Sequence, residues 1–77
     1  MGVLSNITPK QFRDFIENHG YVFDHDTGGH EIWKKAGSPR PVTFQTHINP
    51  IPEFIIQNNL RVMGATKKEL AEFLGKQ

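Results

Sequence analysis

Four histidines, His19, His25, His30 and His47, are the residues of this chain best suited to moving protons. Imidazole is the side chain whose charge ordinarily changes near neutral pH. His30 stands out by its setting. Gly28 and Gly29 precede it, and glycine allows positive φ and close backbone approach. A phosphate can enter the space beside such an imidazole and meet backbone N–H groups. Lys34, Lys35 and Arg40 follow as the local basic cluster. The same Gly-Gly-His run also suits an ordinary turn followed by a strand, and the same cluster suits a solvated hairpin end. His47 approaches His30 if their two segments pair, which allows an acid–base pair or a metal site. Asp24, His25, Asp26, His30 and His47 contain enough ligand atoms for a transition metal, but none of their spacings is a zinc pattern. No metal and no other cofactor is therefore expected. His19 lies on the apolar stripe of a helix and His25 between two acids, where structural and solvated roles are expected. Trp33 and Tyr21 can stack on bases or pack in a core. No Ser-His-Asp order, Walker loop or dinucleotide fingerprint is present.

The elements around these residues have clear signals. Thr8-Pro9-Lys10-Gln11 reads as a capping box with proline in the first turn. Ile7 and Phe12 are placed to form a hydrophobic staple. Phe12, Phe15, Ile16 and His19 repeat at i, i+3, i+4, i+7, which predicts a helix over residues 9–19 ending at Gly20. Tyr21-Val22-Phe23 favours a strand, and residues 24–29 have turn chemistry. Residues 30–35 read as a second strand, residues 36–41 as a turn, and the alternation in residues 42–46 as a third strand. Asn49-Pro50-Ile51-Pro52 can cap and start a second helix carrying Ile55, Ile56, Leu60, Val62 and Met63, with Gly64 ending it. Thr66-Lys67-Lys68-Glu69 is another capping box, before a short helix with Leu70, Phe73 and Leu74 inward.

Short connections make the strands an antiparallel meander. The expected fold class is α+β: a two-layer α-β-β-β-α domain, completed by the short terminal helix, with helices on one face of a three-stranded sheet. Alternation puts His30 and Ile32 on one sheet face and Glu31 and Trp33 on the other. If Ile32 points to the helices, His30 escapes burial only by lying at the strand's start.

The 77 residues fit one domain, residues 1–77. Six phenylalanines supply much of the core volume, and the absence of cysteine removes disulfides and thiolate metal sites. A net charge of +1 is low for a dedicated nucleic-acid binder, so any RNA surface must come from local clustering. No apolar run approaches the roughly 20 residues of a membrane span. Met1-Gly2-Val3-Leu4-Ser5 lacks the basic and long apolar segments of a signal peptide. A cytoplasmic protein without membrane contact is expected.

The order of these motifs resembles the HicA toxins of bacterial toxin–antitoxin pairs over nearly the whole chain, from Leu4 to Leu74. The resemblance rests on Thr8-Pro9-Lys10, Asn18-His19-Gly20-Tyr21, Gly28-Gly29-His30 with Ile32-Trp33, Val42-Thr43 leading to His47, and Gly64-Ala65-Thr66-Lys67-Lys68-Glu69-Leu70. It implies a fold similar to double-stranded-RNA-binding domains, an mRNA-cleaving activity and a HicB-like antitoxin as partner. The family's Gly-Ser-His signature, whose histidine is catalytic, falls on Gly28-Gly29-His30, with Gly29 replacing serine. This makes His30 the catalytic candidate. Gly28, Gly29, Lys34, Lys35, Arg40 and His47 are the RNA-binding candidates. Glu31 stands where the family often has histidine. Asp24 and Asp26 stand where basic residues commonly flank the turn, and Ile48-Asn49-Pro50-Ile51-Pro52-Glu53 replaces a lysine-rich loop. Asn59 interrupts an apolar helix position. The alternatives are a catalytically silent RNA-binding module of the same fold and a protein-interaction domain.

Overall fold

A computed structural model describes residues 5–75; residues 1–4, including most of the segment read for a signal peptide, lie outside the described residues, as do residues 76–77. The order is α1 (Pro9–Asn18), β1 (Val22–Thr27), β2 (His30–Lys34), β3 (Val42–Gln45), α2 (Glu53–Met63) and α3 (Lys67–Gly75). The strands form one antiparallel sheet in the order β1-β2-β3. This is the expected α+β layout, with two differences at element boundaries.

The first concerns β1. The strand runs to Thr27, so Asp24, His25 and Asp26 lie within the strand instead of a long turn. Only Gly28 and Gly29 make the connection, with φ of 57° and 84°. Positive φ at both central residues is the requirement of a type I′ hairpin, whose twist matches that of the flanking strands. Polar composition suggested a loop because β1 is an edge strand exposed along its whole length. The second difference is at α2. Pro52 occupies the cap position and makes no side-chain cap bond, and the helix begins at Glu53 instead of being capped by Asn49.

Both capping boxes form. Thr8 Oγ1 accepts from the Gln11 N–H at 3.1 Å and Gln11 Oε1 accepts from the Thr8 N–H at 2.9 Å. Thr66 Oγ1 accepts from the Glu69 N–H at 3.0 Å, and Glu69 Oε1 accepts from the Thr66 N–H at 3.1 Å. Gly64 ends α2 with φ of 70°.

A single core lies on one side of the sheet. Trp33, Val42 and Phe44 meet Phe12, Phe15 and Ile16 from α1, Ile56 and Leu60 from α2, and Leu70 from α3. Phe44 meets Phe12 edge-on at 5.3 Å, and Phe15 meets Phe73 of α3 at 5.5 Å. Trp33, not Ile32, therefore faces the helices. Glu31 goes inward with it, and His30, Ile32 and Lys34 take the opposite face.

The inward carboxylate is fully engaged. Glu31 is 5% exposed and accepts hydrogen bonds from Arg13 of α1, from Trp33 Nε1 at 3.0 Å and from Thr46 Oγ1 at 2.8 Å. Burial alone would raise its pKa; the bonds from Arg13, Thr46 and Trp33 outweigh it and hold the carboxyl below its ordinary range. This network ties α1, β2 and the end of β3 together. Asn59 on α2 also has a defined task. Its amide accepts from the Thr43 N–H at 3.2 Å and donates to the Thr43 carbonyl at 2.9 Å, so it stands in for a neighbouring strand on the outer edge of β3.

Candidate active site

The sheet face away from the helices carries His30 and several of the other candidate residues. Alternation and register place Thr27 and His25 of β1, His30, Ile32 and Lys34 of β2, and Thr43 and Gln45 of β3 on it. Of these, His25, Thr27, His30, Lys34 and Gln45 are exposed, and Ile32 and Thr43 are half-buried.

His30 starts β2 directly after the hairpin turn, paired with Thr27 on one side and Gln45 on the other. Its exposure follows from strand parity, because its row lies on the side of the sheet away from the helices. It does not depend on the strand start. His47 comes back to the same corner. The Thr46 N–H donates to the Gly29 carbonyl at 2.8 Å. The exposed His47 ring then packs beside Gly29, with Cδ2 3.3 Å and Nε2 3.6 Å from the point a Cβ would take. A Cβ there would press on the ring, and the φ of 84° itself favours glycine at this position. Gly29 thus joins His30 in sequence to His47 in space.

The phosphate contact expected at the turn is partly pre-empted. The Gly29 N–H points at Asp26 Oδ1, 3.4 Å away, so an anion there competes with a carboxylate. Gly28 has open space beside it.

The basic candidates do not converge on His30. Lys34 shares its face but sits four residues along β2, about 13 Å away at strand rise, and its Nζ is 3.5 Å from Asp24 Oδ2. Lys35 follows on the other side. Its stem packs over Gly20 and its ammonium lies 5.8 Å from the centre of the Tyr21 ring. Arg40 is exposed in the β2–β3 connection, whose backbone carbonyl accepts from Ser38 at 3.3 Å. Tyr21 and Trp33 are core residues at 3% and 5% exposure, which removes both from base stacking. His19 is structural: Nδ1 lies 3.1 Å from the Phe15 carbonyl and Nε2 3.3 Å from Glu69.

One arrangement escaped the sequence reading. Asp24 Oδ2 accepts from His25 Nδ1 at 2.5 Å. The hydrogen bond to His25, with Lys34 adding to it, holds the Asp24 carboxyl below its ordinary range. Nothing in the sequence signals this pair, since neighbouring strand residues normally point to opposite faces. Among the described residues, no three His, Asp or Glu side chains gather closely enough to hold a metal ion, and no helix is long and apolar enough to cross a membrane.

Comparison with protein-family models, with curated proteins and with solved structures finds no match for the chain.

Proposed function

We propose that the chain is an RNA endonuclease of the HicA toxin kind, acting on mRNA in the cytoplasm and held in check by a HicB-like antitoxin chain that covers His30. The observation that carries the reading is the corner of the open sheet face where exposed His30 leaves a two-glycine turn and His47 lies against Gly29. It joins the motif resemblance to a surface a nucleic-acid strand can reach.

The chemistry follows from RNA itself. The 2′-hydroxyl is a built-in nucleophile beside each phosphate. His30 takes its proton as general base, and the 2′-oxygen attacks phosphorus. The bond to the 5′-oxygen breaks, leaving a 2′,3′-cyclic phosphate and a 5′-hydroxyl. A positioned base contributes about 10² to 10⁴ in rate. His47 and the Gly28 backbone border the phosphate, and Lys34 reaches the strand further along. Lys35 and Arg40 contribute only to a more distant part of the RNA.

Purified protein is expected to cleave RNA, spare DNA of the same sequence and work in EDTA. His30→Ala should lose both cleavage and growth inhibition with an unchanged circular dichroism spectrum. A folded His30→Ala variant with full activity would overturn the assignment, and activity lost in EDTA and restored by a divalent ion would replace the mechanism. A second reading, a protein-interaction domain without activity, is favoured by the pairing of Lys34 with Asp24, which lowers the positive potential of the open face. That reading requires that neither cleavage nor salt-dependent RNA binding be found.

A further inference from the structure

The Asp24–His25 pair owes its position to an irregularity in β1. Val22 faces Lys34 and Phe23 faces Trp33, whereas His25, Asp26 and Thr27 face Ile32, Glu31 and His30. The register shifts between Phe23 and His25, leaving Asp24 as an extra residue. In a regular strand, Phe23 and His25 would share a face, because side chains repeat every second residue. The bulge breaks that rule. Phe23 stays on the helix side, its ring 5.6 Å from that of Trp33. Asp24 and His25 both come out on the opposite face, where the carboxylate reaches Nδ1 of its own neighbour and Nζ of Lys34. Bulges recur beside active sites because they re-aim side chains in this way.

The re-aimed imidazole is a diagonal neighbour of His30. His25 stands opposite Ile32, and His30 is two residues before Ile32 on β2. Diagonal pairs on one face lie roughly 7–8 Å apart. That separation admits a phosphodiester between two rings, each within hydrogen-bond reach of one reacting oxygen, about 3 Å. Cleavage through the 2′-hydroxyl needs two proton transfers. One proton leaves the 2′-oxygen, and another must reach the departing 5′-oxygen, a poor leaving group as an alkoxide.

We infer that His25, oriented by Asp24, is the general acid that protonates the leaving 5′-oxygen while His30 deprotonates the 2′-hydroxyl. This rests on the reading of the chain as a ribonuclease. Asp24 accepts the Nδ1 proton, so the ring presents Nε2 as its reacting atom. Positive charge on the ring before transfer is balanced by the carboxylate. In the step, O2′–P forms, P–O5′ breaks, His30 gains one proton and His25 loses one. Exchange with water restores both rings. Asp24 is a positioning residue, since it acts only through His25.

The test uses two RNAs that differ at the cleaved linkage, one with the ordinary bridging 5′-oxygen and one with sulfur there. A thiolate departs without a proton. On the oxygen RNA, His25→Ala should slow cleavage by about 10²- to 10⁴-fold. On the sulfur RNA, the rate should be rescued to within a few-fold of the parent protein. Asp24→Asn should show a smaller loss with the same rescue, and His30→Ala should be slow on both. His25→Ala as fast as the parent on oxygen RNA overturns the proposal, as does an equal loss on both RNAs. Either result leaves the ribonuclease reading standing. If the parent protein cleaves neither RNA, the ribonuclease reading itself falls and the general acid with it.

Discussion

Glu31 shows how much one residue can decide. Its carboxylate is buried, yet Arg13, Trp33 and Thr46 all donate to it. Replacing it with glutamine keeps the shape and removes the charge. Because Arg13 is about a third exposed, the cost should fall below that of breaking a fully buried pair, at about 2 kcal/mol in urea unfolding at pH 7. The sign with pH follows from the lowered folded-state pKa of Glu31. Its contribution is fully present above the unfolded value, about 4.3, and is lost as pH falls through the lower folded value. The stability gap between the parent and Glu31→Gln should therefore close in acid; a gap unchanged between pH 7 and pH 3 would show that the charge is not what matters. The inward direction of Glu31 was partly legible. It shares parity with Trp33, so placing Trp33 in the core forces the carboxylate inward and demands a cation. The choice between Trp33 and Ile32 was not legible, because either apolar residue suits a core and only the packing of Phe12 and Phe44 around the sheet decides.

Among the elements, α2 and β3 illustrate what sequence patterns omit. The apolar face of α2 and its end at Gly64 follow from spacing alone. Asn59 looks like a flaw in that face until its two bonds to the Thr43 backbone are seen. Asn59→Ala should cost about 2 kcal/mol by leaving both backbone groups without their partner, with the dependence on urea concentration unchanged. A cost near zero would mean that water replaces the amide. The bulge in β1 was hidden for a related reason. A bulge is set by the conflict between Phe23, drawn to Trp33, and the polar residues that follow, and this conflict exists only once two strands are paired. Helices α1 and α3, by contrast, were legible almost to their ends, because capping boxes and helical periodicity are local; α2, without a capping box, was misplaced at its start.

For the molecule as a whole, charge is distributed against strong RNA binding. Lys34 is paired with Asp24, and Lys35 is laid over Tyr21. For the proposed RNA complex, about two or three phosphate contacts are expected on the open face near His30. For a single strand each contact adds about −0.7 to the slope of log affinity against log salt, giving a slope of about −1.4 to −2.1 and a loss of roughly 7- to 18-fold between 50 and 200 mM salt. Filter binding across that range checks this, and a slope steeper than about −4 would mean that Lys35, Arg40 or another surface joins the interface.

The two edges of the sheet fare differently. Asn59 takes up the Thr43 backbone groups on the free edge of β3, so among the described residues β1 is the more open edge for another strand. There the extra residue at Asp24 throws the unpaired N–H and C=O groups out of step halfway along, and Asp24 and Asp26 place negative charge at the break and just beyond it. A regular ladder cannot run flush along all of Val22–Thr27. The irregularity that turns His25 toward the open face thus also guards a fully exposed strand against edge-to-edge aggregation.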